Sequence, residues 1–128
     1  MKQPDVCPCG SGRRYAACCH PLHAGENPAA SAEALMRSRY SAYVLKLGDY
    51  LLATWHATTR PSELDLDADS SKWLGLTVRS HQQLDEHHAT VEFVARYRIA
   101  GRGHRLHELS RFVREDGRWY YVDGEMLA

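Results

Sequence analysis

Hydrophobic positions along the chain change period once. Ala32, Met36, Tyr40, Tyr43, Val44 and Leu47 recur at intervals of three and four, which is one stripe of an α-helix. Ser31 stands where an N-cap is wanted, Glu33 in the first turn favours the positive end of the helix dipole, and Gly48 supplies the stop. Asp49 can cap a second, shorter helix carrying Tyr50, Leu51, Leu52, Ala53, Trp55 and His56, ended by Thr58, Thr59, Arg60 and Pro61. Residues 62–71, acidic and serine-rich around Leu64 and Leu66, read as a loop with little more than one turn of helix. From Trp73 the period is 2. Leu74, Leu76 and Val78 alternate with Gly75, Thr77 and Arg79, and Asp85-Glu86 marks a turn. Val91, Phe93, Ala95, Tyr97 and Ile99 then form a long half-buried strand. Gly101-Arg-Gly103 closes a hairpin into His104 through Glu115, and Asp116-Gly117, the dipeptide of a type I′ turn, leads into a last strand from Arg118 to Asp123. Two helices followed by an antiparallel meander predict an α+β domain whose sheet curls around the helices.

A chain of 128 residues holds one ordinary domain and a small appendage. The appendage is residues 1–27 and the domain 28–128, with Pro21, Gly25, Asn27 and Pro28 punctuating a linker from His20. Sixteen Lys and Arg balance sixteen Asp and Glu, so no global field draws nucleic acid to the chain. No apolar stretch approaches the ~20 residues needed to span a bilayer. The first six residues carry no apolar run of signal-peptide length, which predicts a reducing, cytoplasmic location.

All four cysteines fall within Cys7-Pro-Cys9-Gly-Ser-Gly-Arg-Arg-Tyr-Ala-Ala-Cys18-Cys19-His20. Pro8 fixes φ between the first two, Gly10 and Gly12 let the chain reverse, and Ser11 is placed to cap a short helix over Arg13 to Ala16 that returns Cys18 and Cys19 to the first pair. Two thiolate pairs across such a turn suit a tetrahedral soft cation, Zn(2+) above all, with iron as its competitor in the cell. Four thiolates around Zn(2+) carry a net charge near −2, which Lys2, Arg13 and Arg14 are placed to offset. Disulfides are the alternative. They would form strained rings between near neighbours, or else need an oxidising compartment.

This stretch resembles the SEC-C zinc motif, best known at the carboxyl end of the SecA preprotein translocase ATPase. The resemblance implies Cys7, Cys9, Cys18 and Cys19 as metal ligands, with His20 as the alternative fourth. It also implies docking, since the SecA tail engages an export chaperone and ribosomes. Arg13, Arg14 and Tyr15 are then the candidate contacts for a protein or ribonucleoprotein partner.

The downstream order resembles the nuclear-transport-factor-2-like, or cystatin-like, cone. Met36-Arg-Ser-Arg-Tyr40-Ser-Ala-Tyr43, Thr54-Trp-His56, His107-Glu-Leu-Ser-Arg-Phe112 and Gly117-Arg-Trp-Tyr-Tyr-Val-Asp-Gly124 resemble the YchJ family (UPF0225), in which a SEC-C motif precedes such a cone. Cones of this kind leave a pocket at the open end, used by enzymes such as ketosteroid isomerases and by many non-catalytic binders. Arg37, Arg39, Tyr40, Trp55, His56, Glu108, Ser110 and Asp123 are the candidate lining residues. Three roles follow: a non-catalytic zinc-binding interaction module with a small-ligand cone, an enzyme using a histidine and a carboxylate in that cone, or a knuckle that only staples the N-terminus. The first is favoured. Neighbours on a strand point to opposite faces, so His107 and Glu108 cannot serve one pocket. Glu108 is expected to pair with Arg37 or Arg39 as a helix-to-sheet ion pair. His87 and His88, in a turn beside Asp85 and Glu86, are read as solvent-titrating side chains.

Overall fold

A computed structural model describes residues 5–64, 66 and 71–127. Lys2 and half of the acidic loop, residues 65 and 67–70, lie outside it. Helix α1 (His20–His23) is one turn long and occupies part of the stretch expected to be linker. Helix α2 (Ala32–Leu45) begins where Ser31 predicts, with the Ser31 Oγ accepting a hydrogen bond from the Ala34 N–H at 3.1 Å. Its end differs from expectation. Lys46, not Gly48, takes the left-handed conformation at φ 60°, because helix α3 (Gly48–Ala53) already starts at Gly48. Asp49 sits in the first turn of α3 rather than capping it, and Trp55 and His56 lie beyond its end. Trp55 instead makes a parallel bridge to Tyr121.

Four strands follow as an antiparallel meander in sequence order: β1 (Lys72–Gln83), β2 (His88–Ile99), β3 (Arg102–Glu115) and β4 (Arg118–Met126). Asp116 and Gly117 both have positive φ, at 52° and 78°, as the type I′ turn requires. The β2–β3 turn falls one residue earlier than expected. Ala100 and Gly101 carry its positive φ values, 52° and 80°, and Arg102 and Gly103 are already paired in β3. At the β1–β2 turn the Asp85 carboxylate accepts from the His87 N–H and lies 3.0 Å from His88 Nδ1, so these side chains brace the turn.

Leu35, Met36 and Tyr40 of α2 pack on Leu76, Val91, Phe93, Ala95, Phe112 and Trp119 of the sheet, forming one core. The sheet also has a register shift between Arg111 and Phe112. Phe112 pairs with Tyr121 but Arg111 with Asp123, so Val122 is the extra residue. That bulge breaks the alternation of β4: Tyr121 faces the helices while Asp123, two residues on, faces away with Arg111.

Candidate functional site

The N-terminal segment folds as a tight loop closed by a Val6–Arg14 bridge and by the Cys7 N–H donating to the Arg13 carbonyl at 2.9 Å. Gly10 and Gly12, at φ 81° and 84°, make the reversal. A 3-10 turn over Tyr15–Ala17 then delivers Cys18 and Cys19. This turn is shorter and later than the helix expected over Arg13 to Ala16, and no side chain caps it. Ser11 has another use: its Oγ accepts from the Arg13 N–H and lies 3.2 Å from Cys18 Sγ.

The four sulfurs lie within 4.8 Å of one another. Cys9 and Cys18 are 3.6 Å apart, and Cys18 and Cys19 4.0 Å. Bonds of ~2.3 Å to a tetrahedral zinc place sulfurs ~3.8 Å apart. All four cysteines are free thiols. Hydrogen bonds from Cys19 and then Cys9 hold the Cys7 thiol down to about 3, and the bonds of Cys19 to Cys7 and then Cys9 push Cys19 up. Sulfurs packed this closely therefore resist carrying four charges unless a cation joins them. Cys19, not His20, completes the cluster, while the His20 ring packs edge-on to Tyr15. His23 is fully engaged elsewhere: Nδ1 meets the Tyr15 hydroxyl at 2.7 Å, and Nε2 donates to the Ser38 carbonyl at 2.8 Å. Burial pushes its pKa down.

Helix α2 supplies the floor of this cluster. Ser41, fully buried, donates to Cys19 Sγ at 3.4 Å and lies 3.6 Å from Cys7 Sγ. Arg37 donates to the Cys9 carbonyl at 2.9 Å and pairs with Glu33 at 3.0 Å. Leu45 packs against the cysteine cluster. Ser38 and Ser41 are not among the candidate site residues of the sequence. Their sign was polar residues three apart in a helix whose apolar stripe faces elsewhere.

Of the candidate partner contacts, Arg14 is exposed, but Tyr15 is buried at 3% exposure with its hydroxyl spent on His23. Arg13 is exposed yet reaches Cys18 Sγ with Nη2 at 3.7 Å. It serves the sulfurs before any partner.

A chamber of about 270 Å³ lies between α2 and the sheet. Arg39, Tyr40, Trp55, Glu108 and Ser110 line it, as does Tyr121. Three other candidates do not. Arg37 faces the cysteine loop. His56 sits outside, with Nε2 2.9 Å from Glu115 and Nδ1 2.7 Å from the Thr58 hydroxyl. Asp123 pairs with Arg111 at 2.6 Å on the far face of the sheet, where the bulge at Val122 turns it. The expected ion pair of Glu108 is also replaced. Arg39 donates from Nη1 to the Leu51 carbonyl at 2.8 Å and the Thr54 hydroxyl at 2.7 Å, and Glu108 instead accepts from the Ser110 hydroxyl. His107 lies on the opposite face from Glu108, 2.7 Å from Glu92. Burial pushes the Tyr40 and Tyr121 hydroxyls up to about 12 and pulls the Arg39 guanidinium down.

Residues 31–124 match the middle NTF2-like domain of YchJ, and residues 4–21 match the SEC-C motif. The chain belongs to the YchJ family. Among its relatives, a UPF0225 protein of Bordetella parapertussis is 62% identical over 125 residues, 96% of this chain and 94% of the relative. A UPF0225 protein of Ralstonia nicotianae is 56% identical over 132 residues, 94% and 91% of the two chains. Two solved structures have the same architecture. The solution structure of a SEC-C motif containing protein from Rhodopseudomonas palustris is 42% identical with a TM-score of 0.86, covering 95% of this YchJ-family chain and 98% of the other. A crystal structure of a SEC-C motif containing protein from Psychrobacter arcticus is 32% identical with a TM-score of 0.79, covering 95% and 82%. The α+β cone behind a cysteine loop, expected from the sequence, is the fold of this family. No helix among the described residues is long and apolar enough to cross a membrane.

Proposed function

We propose that this chain is a zinc-binding, non-catalytic binding module: a metal-locked knuckle with Arg14 on its exposed rim, seated on a cone that takes a small ligand. The observation that carries the reading is the sulfur cluster itself, with four sulfurs at zinc-like separations and hydroxyl and guanidinium donors already turned toward them. Cys7, Cys9, Cys18 and Cys19 would hold the ion, and bound zinc would supply folding free energy rather than a reactive water, because a four-thiolate shell leaves no open position. The chamber supports binding over acid–base chemistry, since His56, the candidate base, stands outside it beside Glu115. Resemblance to the SecA tail supports a partner in the translation or export machinery.

The test is elemental analysis of protein purified without added metal, paired with thermal melts before and after chelation. The expected result is about one zinc per four thiols and a cone that melts at a lower temperature once the ion is removed. Protein that carries no zinc and takes up none when it is offered refutes the reading. For the partner, the zinc-loaded chain should cosediment with purified ribosomes, and Arg14→Glu should not. Equal pelleting of both would remove Arg14 from the interface.

A further inference from the structure

Packing alone does not account for Arg39. Its side chain is buried at 5% exposure, and of its five N–H groups only the two on Nη1 are shown bonded, to Leu51 and Thr54. Nε and Nη2 make no hydrogen bond to a described residue. The Trp55 and Tyr121 rings lie 4.9 and 4.7 Å from the guanidinium carbon. Their π faces offset part of the cation's desolvation, but they offer it no acceptor. Glu108 shares the chamber, yet its carboxylate is turned to the Ser110 hydroxyl and lies over Gly124, where a Cβ would overlap it. Trp55 Nε1, on the same wall residue, is buried and has no hydrogen-bond partner among the described residues. The chamber thus combines an apolar wall that includes Tyr40, Trp73, Phe93 and Phe112 with the unspent donors and positive charge of Arg39. Such groups are costly to leave unpaired, and their natural complement is an anionic acceptor.

We propose that the chamber binds a small monocarboxylate with a flat, apolar body. The carboxylate accepts from Nε and Nη2 of Arg39, the side-on pair of donors that matches two carboxylate oxygens. The ring lies among Tyr40, Trp73 and Phe112. The cavity, about 270 Å³, has room for one ring with a short acid arm, at the small end of ligand pockets. Glu108 then sets the charge of the ligand, because a second carboxylate would meet it as a like charge in a low-dielectric space. This inference rests on the reading of the cone as a ligand chamber and narrows it to a chemical class.

Three ring-sized probes separate the alternatives: phenylacetate, its neutral amide phenylacetamide, and the dianion phenylmalonate. They are titrated into the zinc-loaded full chain while the Trp55 indole resonance is followed. Phenylacetate is expected to move that resonance and to bind about tenfold to a hundredfold more tightly than either analogue, the range a charged hydrogen-bonded pair contributes. Arg39→Gln should erase the preference for the acid over the amide. If Arg39→Gln does not fold, Arg39→Lys, which keeps the charge but loses the fork, should reduce it. Met36→Trp, which fills the chamber, should block all three probes. Amide and acid binding equally well would overturn the carboxylate assignment while leaving the ligand chamber standing. Binding of phenylacetate that survives Met36→Trp lies elsewhere and overturns it too. If none of the probes binds at millimolar concentration, the ligand-chamber reading fails together with the proposal.

Discussion

Ser41→Ala tests whether helix α2 is part of the metal centre or merely beneath it. Ser41 is fully buried, with its hydroxyl 3.4 Å from Cys19 Sγ and 3.6 Å from Cys7 Sγ. Four thiolates on Zn(2+) leave a net charge near −2, and each donor to sulfur draws some of that charge off the metal. A hydrogen bond to a charged group contributes about 1.5–3 kcal/mol. A contact of 3.4 Å to a large, diffuse sulfur belongs at the weak end, about 1.5 kcal/mol, which is a little over a tenfold weaker zinc affinity. Alanine keeps the methylene and the helix propensity, so the metal-free fold should change little. Competition against a chromophoric chelator measures the affinity directly. Ser38→Ala is the control: Ser38 is equally buried on the same helix but bonds the Leu35 carbonyl and the Tyr50 hydroxyl, so its loss should lower the melting temperature without moving zinc affinity. An affinity unchanged in Ser41→Ala, or lowered equally by both variants, would refute the role given to Ser41.

Three further outcomes follow from individual residues. Gly10→Ala should destabilise the zinc-loaded protein by about 1–2 kcal/mol, seen as a lower melting temperature, because its φ is 81° and its Cβ would stand 3.2 Å from the Leu76 carbonyl. Gly12→Ala, at φ 84° in open space, should cost only the backbone part. Burial holds the His23 pKa below its ordinary 6.5, so between that depressed value and 6.5 the unfolded chain binds a proton that the native chain does not. Stability therefore falls as pH drops through that window, and His23→Gln should flatten the fall in a series of melts at stepped pH. Arg96 and Arg105 face each other directly across β2 and β3, a like-charge pair on exposed positions. Arg105→Glu should raise the melting temperature, and a lowered one would show that Arg105 has a partner of its own.

Strands and turns were legible where one face is buried. The period-2 run of β2 and the Asp116-Gly117 turn follow from alternation and from φ > 0 at two adjacent residues, whereas in β1 a register shift between Trp73 and Gly75 turns Leu74 outward, 46% exposed, and packs Trp73 inward with Leu76 and Val78. The β2–β3 turn was misplaced by one residue because it uses Ala100 at φ 52°, a conformation alanine does not advertise. Arg39, Glu108 and Ser110 could be read as chamber residues because they are polar positions within the stretches that resemble the YchJ family. Asp123 could not be placed, since strict alternation puts it beside Tyr121 and only the bulge at Val122, set by pairing with β3, turns it outward. Tyr15 differs for another reason. Next to two arginines it looks like surface, but the loop buries it against His23.

Helix α2 decides whether the division at residue 28 separates two units. Its stripe toward the sheet accounts for Met36 and Tyr40, yet Ser38, Ser41 and Ala42 are fully buried as well. The cysteine loop covers one of these further faces through Ser41, Arg37 and Leu45, and α1 another through the bond from His23 to the Ser38 carbonyl. Gly10 meanwhile comes close to the β1 backbone at Leu76. A helix dressed on so many sides loses packing and hydrogen bonds when one dressing is removed. A chain starting at Pro28 should therefore melt well below the zinc-loaded full chain and near the chelated one, with slow amide exchange lost first in α2. If the shortened chain melts at the same temperature as the zinc-loaded protein, the knuckle is an independent attachment and the contacts of Ser41 and Arg37 add nothing to the stability of the cone.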